Sequence, residues 1–406
     1  MQRDHAAEVK SIMNHPAFKA AVQKLDADHE RTVADIITLT EIPSPPFKEE
    51  KRAAAYLEML RAHGLEDVEQ DEIGNVMGLR RGAGNGALMV VAAHLDTVFP
   101  EGTDVKVRRE GTKLFAPGVG DDTRSLAVLL AFIRAMDTAG IRTRNDILFV
   151  GDVGEEGLGD LRGVRHLFTK GKYKDKIETF FTVDSPEMEK IVTIGVGSKR
   201  YSVKFKGPGG HSFAAFGLVN PMYAMAQAIA ELGRIEVPEK PRTTYCASIV
   251  GGGTSINAIP GETWIDIDLR SESAEELAKL DTRFREIVAA AVAQENATRS
   301  TKDGSITAEI KPVGDRPAGN TPVAADIVQF ATAALKAHGL SPRHEASSTD
   351  ANIPMSLGIP AVKIGSGGTG GRAHSLDEWI DVEKGASLKG MLPGLTMLLA
   401  MADLQN

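Results

Sequence analysis

From Leu88 to Val183 short apolar runs take turns with helical patterns, and this alternation constrains the fold more than any other feature of the chain. Leu88 to Ala93, Ile147 to Val150 and Thr179 to Val183 read as buried strands, with helices over Ser125 to Ala139 and near Arg162 to Thr169 between them. Strands separated by helix-length segments pair most simply in parallel through crossovers, so the reading predicts a mostly parallel sheet with helices on both faces. The expected class is α/β.

The flanking segments fill out the plan. Residues 1 to about 70 read as helices: Ala17 to Leu39 carries helical spacing, Pro43, Pro45 and Pro46 break it, and Lys48 to His63 resumes before a stop at Gly64. After Gly197 the pattern changes. Tyr201 to Lys206, Thr244 to Val250 and Thr263 to Leu269 alternate as half-exposed strands, with amphipathic helices over Asn220 to Gly233 and Ala274 to Ala293. This predicts an inserted α+β domain over 198–310 within a first domain of 1–197 and 311–406. From Pro322 the earlier alternation returns through Ala324 to His338, Ala361 to Ile364 and Leu388 to Leu404.

Composition narrows the partners. The 406 residues carry 47 Lys and Arg against 55 Asp and Glu, a formal charge of −8, and no basic tract attracts nucleic acid or an anionic membrane. The longest apolar run, around Leu126 to Ile133, is too short to span a bilayer, and the first ten residues lack the apolar stretch of a signal peptide. A cytoplasmic location is therefore expected. With Cys246 the only cysteine, intramolecular disulfides and thiolate-rich zinc sites are excluded, so any metal needs imidazole and carboxylate ligands.

In open α/β sheets ligands bind beyond the carboxyl ends of the strands, and there the sequence is uniform. His94 and Asp96 follow the first run, Glu155 and Glu156 the second, and Asp184 the third. Asp121 and Asp122 open a helix after Gly118 and Gly120, and His374 lies in a glycine-rich loop after Ala361 to Ile364. Taken singly these are a loop histidine, a solvated turn and a helix cap. Gathered at one sheet edge they repel one another unless a cation joins them. Imidazole with carboxylate suits Zn²⁺, Mn²⁺ or Co²⁺, and a shared carboxylate suits a pair of ions. A rival reading takes Gly157, Gly159 and Gly163 as a dinucleotide turn, but the spacing is off by one and Glu155 and Glu156 would face the phosphates.

Six segments in order carry a resemblance: His94-Leu95-Asp96-Thr97-Val98, Pro117 to Asp122, Glu155-Glu156-Gly157, Asp184-Ser185-Pro186, Gly207-Pro208-Gly209-Gly210-His211-Ser212 and Ala373-His374-Ser375-Leu376-Asp377-Glu378. They resemble the motifs of the dinuclear metallopeptidase and amidohydrolase family. That family includes tripeptide aminopeptidase, glutamate carboxypeptidase, acetylornithine deacetylase and succinyl-diaminopimelate desuccinylase. Ser348-Thr349-Asp350-Ala351-Asn352 and the glycines before His374 give it a tripeptidase-like flavour.

The resemblance implies a zinc-exopeptidase-like catalytic domain with an inserted dimerisation or lid domain, a homodimer or higher homo-oligomer, and two divalent ions per subunit, zinc first, manganese or cobalt otherwise. His94, Asp121 and Asp184 would hold one ion, and Asp121, Glu156 and His374 the other, with Asp121 bridging. Asp96 would orient the His94 imidazole, and Glu155 would be the general base. His211 would stabilise the oxyanion, Asn257 would support the substrate, and Arg270 would pair with a substrate carboxylate. Ordinary readings stand beside two of these: a turn at Asn257, and a surface ion pair of Arg270 with Asp268 or Glu272. The implied reaction is hydrolysis of a C–N bond in a di- or tripeptide or an N-acyl amino acid. A deaminase acting on a non-peptide amide or aromatic amine is the alternative, and a non-catalytic metal-binding relative a further one. Thr123, Arg124 and Ser125 depart from the lysine or glycine that many relatives have after the aspartate.

Overall fold

A computed structural model describes residues 3–84 and 86–405. The chain divides into two compact units, one formed by 1–195 with 320–406 and the other by 196–319.

The central sheet of the first unit runs in the spatial order Glu66–Gln70, Val76–Arg80, Asp146–Asp152, Leu88–His94, Ile177–Val183, Ala361–Ile364 and Lys190–Gly195. Its four middle strands are parallel, and the flanking pairs are antiparallel. Side chains alternate between faces along a strand, and both faces are apolar here. Met89, Val91 and Ala93 enter one core with Phe149 and Phe181, under helices that supply Phe18, Tyr56, Phe132, Phe330 and Leu395. Val90, Ala92, Leu148, Val150 and Phe180 enter the other, under Val164 and Leu167 of the helix Arg162–Thr169 and Ile353 and Met355 of Asn352–Ser356. Such two-sided burial is why these strands read as continuous apolar runs.

Some boundaries moved. The helical pattern from Ala17 to Leu39 is two helices, Pro16–Ala27 and His29–Thr40, broken at Asp28, whose carboxylate faces Lys24 Nζ at 2.9 Å and Arg134 Nε at 3.4 Å. A further helix, His5–Asn14, precedes them. The strand Glu66–Gln70 replaces the end of the stretch expected to be helical, being polar and largely exposed, and it pairs with Val76–Arg80, a strand of only five residues that offers too short a pattern to read.

The second unit is a four-stranded antiparallel sheet ordered Thr243–Gly252, Glu262–Ser271, Gly197–Lys206 and Thr307–Arg316. Glu262–Ser271 alternates strictly between half-buried and buried residues. Tyr201, Val203, Phe205, Ile265, Ile267 and Leu269 pack against the helices Pro221–Leu232 and Ala274–Thr298. Asn220 and Ser273 cap those helices through Met222 N–H at 2.9 Å and Glu276 N–H at 3.3 Å. A boundary at 310/311 would cut the strand Thr307–Arg316, which pairs with Gly197–Lys206 along its whole length. Pro312 and the register shift before Gly314 hide that strand from an alternation pattern, and the edge of a sheet is where a proline is tolerated.

Candidate metal centre

The first unit brings the carboxylates and imidazoles of the strand ends together. His94 is the last residue of its strand, and Asp184 directly follows Ile177–Val183. Glu155 and Glu156 follow the strand that ends at Asp152. Asp121 sits in the turn before the helix Arg124–Thr138, and His374 in the loop joining Thr369–Gly371 to Trp379–Asp381.

Liganding atoms of His94, Asp121 and Glu156 lie within 4.8 Å of one another, as do those of His94, Asp122 and Asp184. Asp121 is the pivot: Oδ1 is 3.0 Å from His94 Nε2 and Oδ2 is 3.1 Å from His374 Nε2. His374 Nε2 also lies 3.0 Å from Glu156 Oε1. The electrostatics follow from crowding like charges in a buried place. Burial, with the charges of Asp184 and Asp121 nearby, pushes the Asp122 carboxyl well up, and burial pushes Glu156 up. Burial disfavours ionisation of Asp121 too, but its hydrogen bonds with His374 and His94 hold its carboxyl well below the usual range. Hydrogen bonds to Asp121 and Glu156 raise His374 to about 11. Four clustered carboxylates with two imidazoles are the donor set that hard-to-intermediate dications take, so the residues present fit such ions.

Buried carboxylates also tie down the loops that carry these groups. Asp96 accepts the backbone N–H of Glu155 at 3.1 Å and of Glu156 at 2.8 Å. Its expected contact with the His94 imidazole is looser: Nδ1 lies 3.6 Å from Asp96 Oδ1 and 2.9 Å from the Asp96 backbone oxygen. Either acceptor places the proton on Nδ1 and turns Nε2 toward Asp121. Asp122 accepts His94 N–H at 3.1 Å and Ser185 N–H at 3.3 Å.

Several supporting residues had little signal in the sequence. Asp122 was visible only as a neighbour of Asp121, and Glu378 only as the end of the His374 segment. Arg52 is fully buried and donates to the carbonyls of Ile42 and Leu95, each at 2.8 Å, pinning the turn between His94 and Asp96. Asp350 lies buried against Asp152, and burial pushes the Asp152 carboxyl up to about 7.

His211, Asn257 and Arg270 belong to the second unit. His211 pairs with Ala258 on a two-residue ladder, and Ser212 N–H donates to the Asn257 carbonyl at 2.9 Å, so His211 and Asn257 are neighbours. His211 Nδ1 accepts Phe213 N–H at 3.2 Å and Ala214 N–H at 3.3 Å, which leaves the ring proton on Nε2. Asn257 lies in a turn, with Oδ1 accepting Ser255 Oγ–H at 2.6 Å. Arg270 Nε pairs with Asp268 Oδ2 at 2.8 Å, and the outer fork of its guanidinium makes no hydrogen bond among the described residues.

A mostly parallel sheet with a dication donor set at its carboxyl edge defines a metal-site α/β protein, and solved peptidases share the fold. Aminopeptidase PepT from Bacillus cereus superposes with a TM-score of 0.73 at 21% identity, covering 92% of this chain and 98% of that one. A dinuclear metal-binding peptidase from Bacillus subtilis superposes at 0.66 and 17% identity, covering 93% and 99%. The chain belongs to peptidase family M20/M25/M40, whose sequence profile matches residues 90–402. Succinyl-diaminopimelate desuccinylase from Burkholderia ambifaria is 29% identical over 252 residues, 57% of this chain and 66% of that protein. The match thus spans just under two thirds of that curated relative's length.

Proposed function

We propose that the protein is a metal-dependent hydrolase cleaving the amide C–N bond of a small substrate, a di- or tripeptide or an N-acyl amino acid. The observation that carries this reading is the placing of one Asp121 oxygen against each of two imidazoles, the disposition a bridging carboxylate needs. In this reading His94, Asp121 and Asp184 hold one divalent ion and Asp121, Glu156 and His374 a second, zinc first, with manganese and cobalt as alternatives. Bound there, such ions acidify water and polarise a carbonyl. Glu155, anchored by Asp96 beside Glu156, takes the proton of the attacking water and passes it to the leaving nitrogen.

Three residues of the second unit carry the remaining roles that the family resemblance implies. His211 presents its Nε2–H as an oxyanion donor, since its Nδ1 is already an acceptor for two backbone amides. The outer fork of Arg270, oriented by Asp268, binds a substrate carboxylate, and Asn257 supports the substrate beside His211. Thr243–Gly252 lies at one edge of its sheet with Ile249 56% and Val250 59% exposed, which supports a homodimer through that edge. Among the described residues no helix is long and apolar enough to cross a membrane.

The experiment is chelation followed by reconstitution, in a screen of short peptides and acyl amino acids with Zn²⁺, Mn²⁺ or Co²⁺. Turnover should vanish on chelation and return with metal; full activity in protein shown by elemental analysis to be metal-free ends the proposal. In the same screen Arg270→Ala should raise KM for substrates with a free carboxylate far more than for the matching amides. Equal effects on both would return Arg270 to its ion pair with Asp268. For assembly, light scattering should give twice the chain mass for the wild type and the single mass for Val250→Lys; a monomeric wild type removes the dimer.

A further inference from the structure

Glu378 touches none of the atoms assigned above to the ions, yet its carboxylate holds the backbone from which the bridging aspartate hangs. The side chain is 2% exposed. Its Oε2 accepts Gly118 N–H at 2.9 Å, and its Oε1 accepts Gly120 N–H at 2.8 Å and Asp121 N–H at 2.9 Å. Gly118 adopts φ +78°, and the turn converges three amides on one point, a concavity that binds an anion. Here the chain's own carboxyl group fills it.

The same residue is fixed to the second imidazole arm. Glu378 lies four residues after His374, and its N–H donates to the Ser375 carbonyl at 3.2 Å. Its own carbonyl accepts Ala116 N–H at 3.1 Å, beside the ladder that pairs Trp379 with Phe115 and Ile380 with Leu114. The Asp121 turn and the His374 loop, more than 250 residues apart in sequence, are therefore joined through one side chain. The fit is close. A methyl group on Gly120 would lie 3.3 Å from Glu378 Oε1 and 2.9 Å from Ile380 Cγ2.

We propose that Glu378 is a positioning residue that sets the affinity of both metal sites by holding Asp121 in its bridging pose. The inference rests on the metal reading above. A carboxylate offers acceptors on both oxygens and an amide on only one, so Glu378→Gln turns an NH₂ group toward at least one of the three amides. Because the anchored residue is the shared ligand, both binding steps should weaken; a lost His374 would weaken mainly one.

The test is Zn²⁺ titration against a chromophoric chelator, with thermal melting of the metal-free protein, on wild type, Glu378→Gln and Gly120→Ala. Orienting partners of metal ligands are typically worth about 10- to 100-fold in metal affinity. We expect a loss in that range at both steps for Glu378→Gln, and a loss of the same sign for Gly120→Ala, which keeps the carboxylate but displaces it. Should Glu378→Gln fail to fold, Gly120→Ala decides alone. Variants that melt lower without metal but bind Zn²⁺ as tightly as wild type make Glu378 merely structural and overturn the proposal. A wild type that binds no Zn²⁺ fails earlier, at the metal reading itself.

Discussion

Glu155→Gln should bind metal as the wild type does and lose about 10²- to 10⁴-fold in turnover, the usual cost of removing a general base. Asp96 grips the backbone N–H of residue 155, not its side chain, so the loop stays in place when the carboxylate becomes an isosteric amide. Glu156→Gln is the control, one residue along the same loop. Its Oε1 faces His374 Nε2 at 3.0 Å, and its loss should lower metal content as well as rate. Both variants need elemental analysis beside kinetics. If Glu155→Gln lost metal while Glu156→Gln kept it, base and ligand would be assigned the wrong way round.

The neighbouring aspartates should separate just as sharply. Asp121→Asn should strip or weaken both ions and lower turnover on the order of 10³-fold or more, since the acidified water and the polarised carbonyl fail together. Asp122→Asn should mainly destabilise the fold. Both Asp122 oxygens accept backbone amides, those of His94 and Ser185, and an asparagine NH₂ turned toward one of them leaves a buried donor unpaired at about 1 to 3 kcal/mol. Titration with Zn²⁺ and urea unfolding of the metal-free proteins measure the two effects. Because Asp122 also approaches His94 and Asp184 within ligand distance, the opposite result is informative: if Asp122→Asn loses an ion while Asp121→Asn keeps two, the bridge is Asp122.

Buried carboxyl groups outside the proposed ligand set hold the loops of the candidate site. Asp96, Asp122 and Glu378 each accept two or three backbone amides from the segments bearing Glu155, Glu156, His94, Asp184 and Asp121. These hydrogen bonds offset part of the desolvation of the buried carboxyl groups, so the ligand loops are tied down by polar contacts to their backbone. Glycine at 118 and 120 makes this possible, the first by its positive φ and the second by leaving room for the Glu378 oxygen.

The strands buried on both faces are readable from residue order, because burial writes a continuous apolar run, and so are the polar residues that end them, because ligands follow strands in this kind of sheet. His94, Glu155, Glu156 and Asp184 were legible for that reason. Asp121 and His374 were legible through the glycines around them. The antiparallel strands Glu66–Gln70 and Thr307–Arg316 were not, since a half-exposed edge strand selects for no apolar run and admits Pro312. How the aspartate pair divides its work emerges with the folded chain, Asp121 toward two imidazoles and Asp122 toward two backbone amides. The same holds for Glu378, which reaches Gly118 across 260 residues. Those roles depend on contacts between segments distant in sequence, and local periodicity records which side of a strand is buried but not what a long-range carboxylate will meet there.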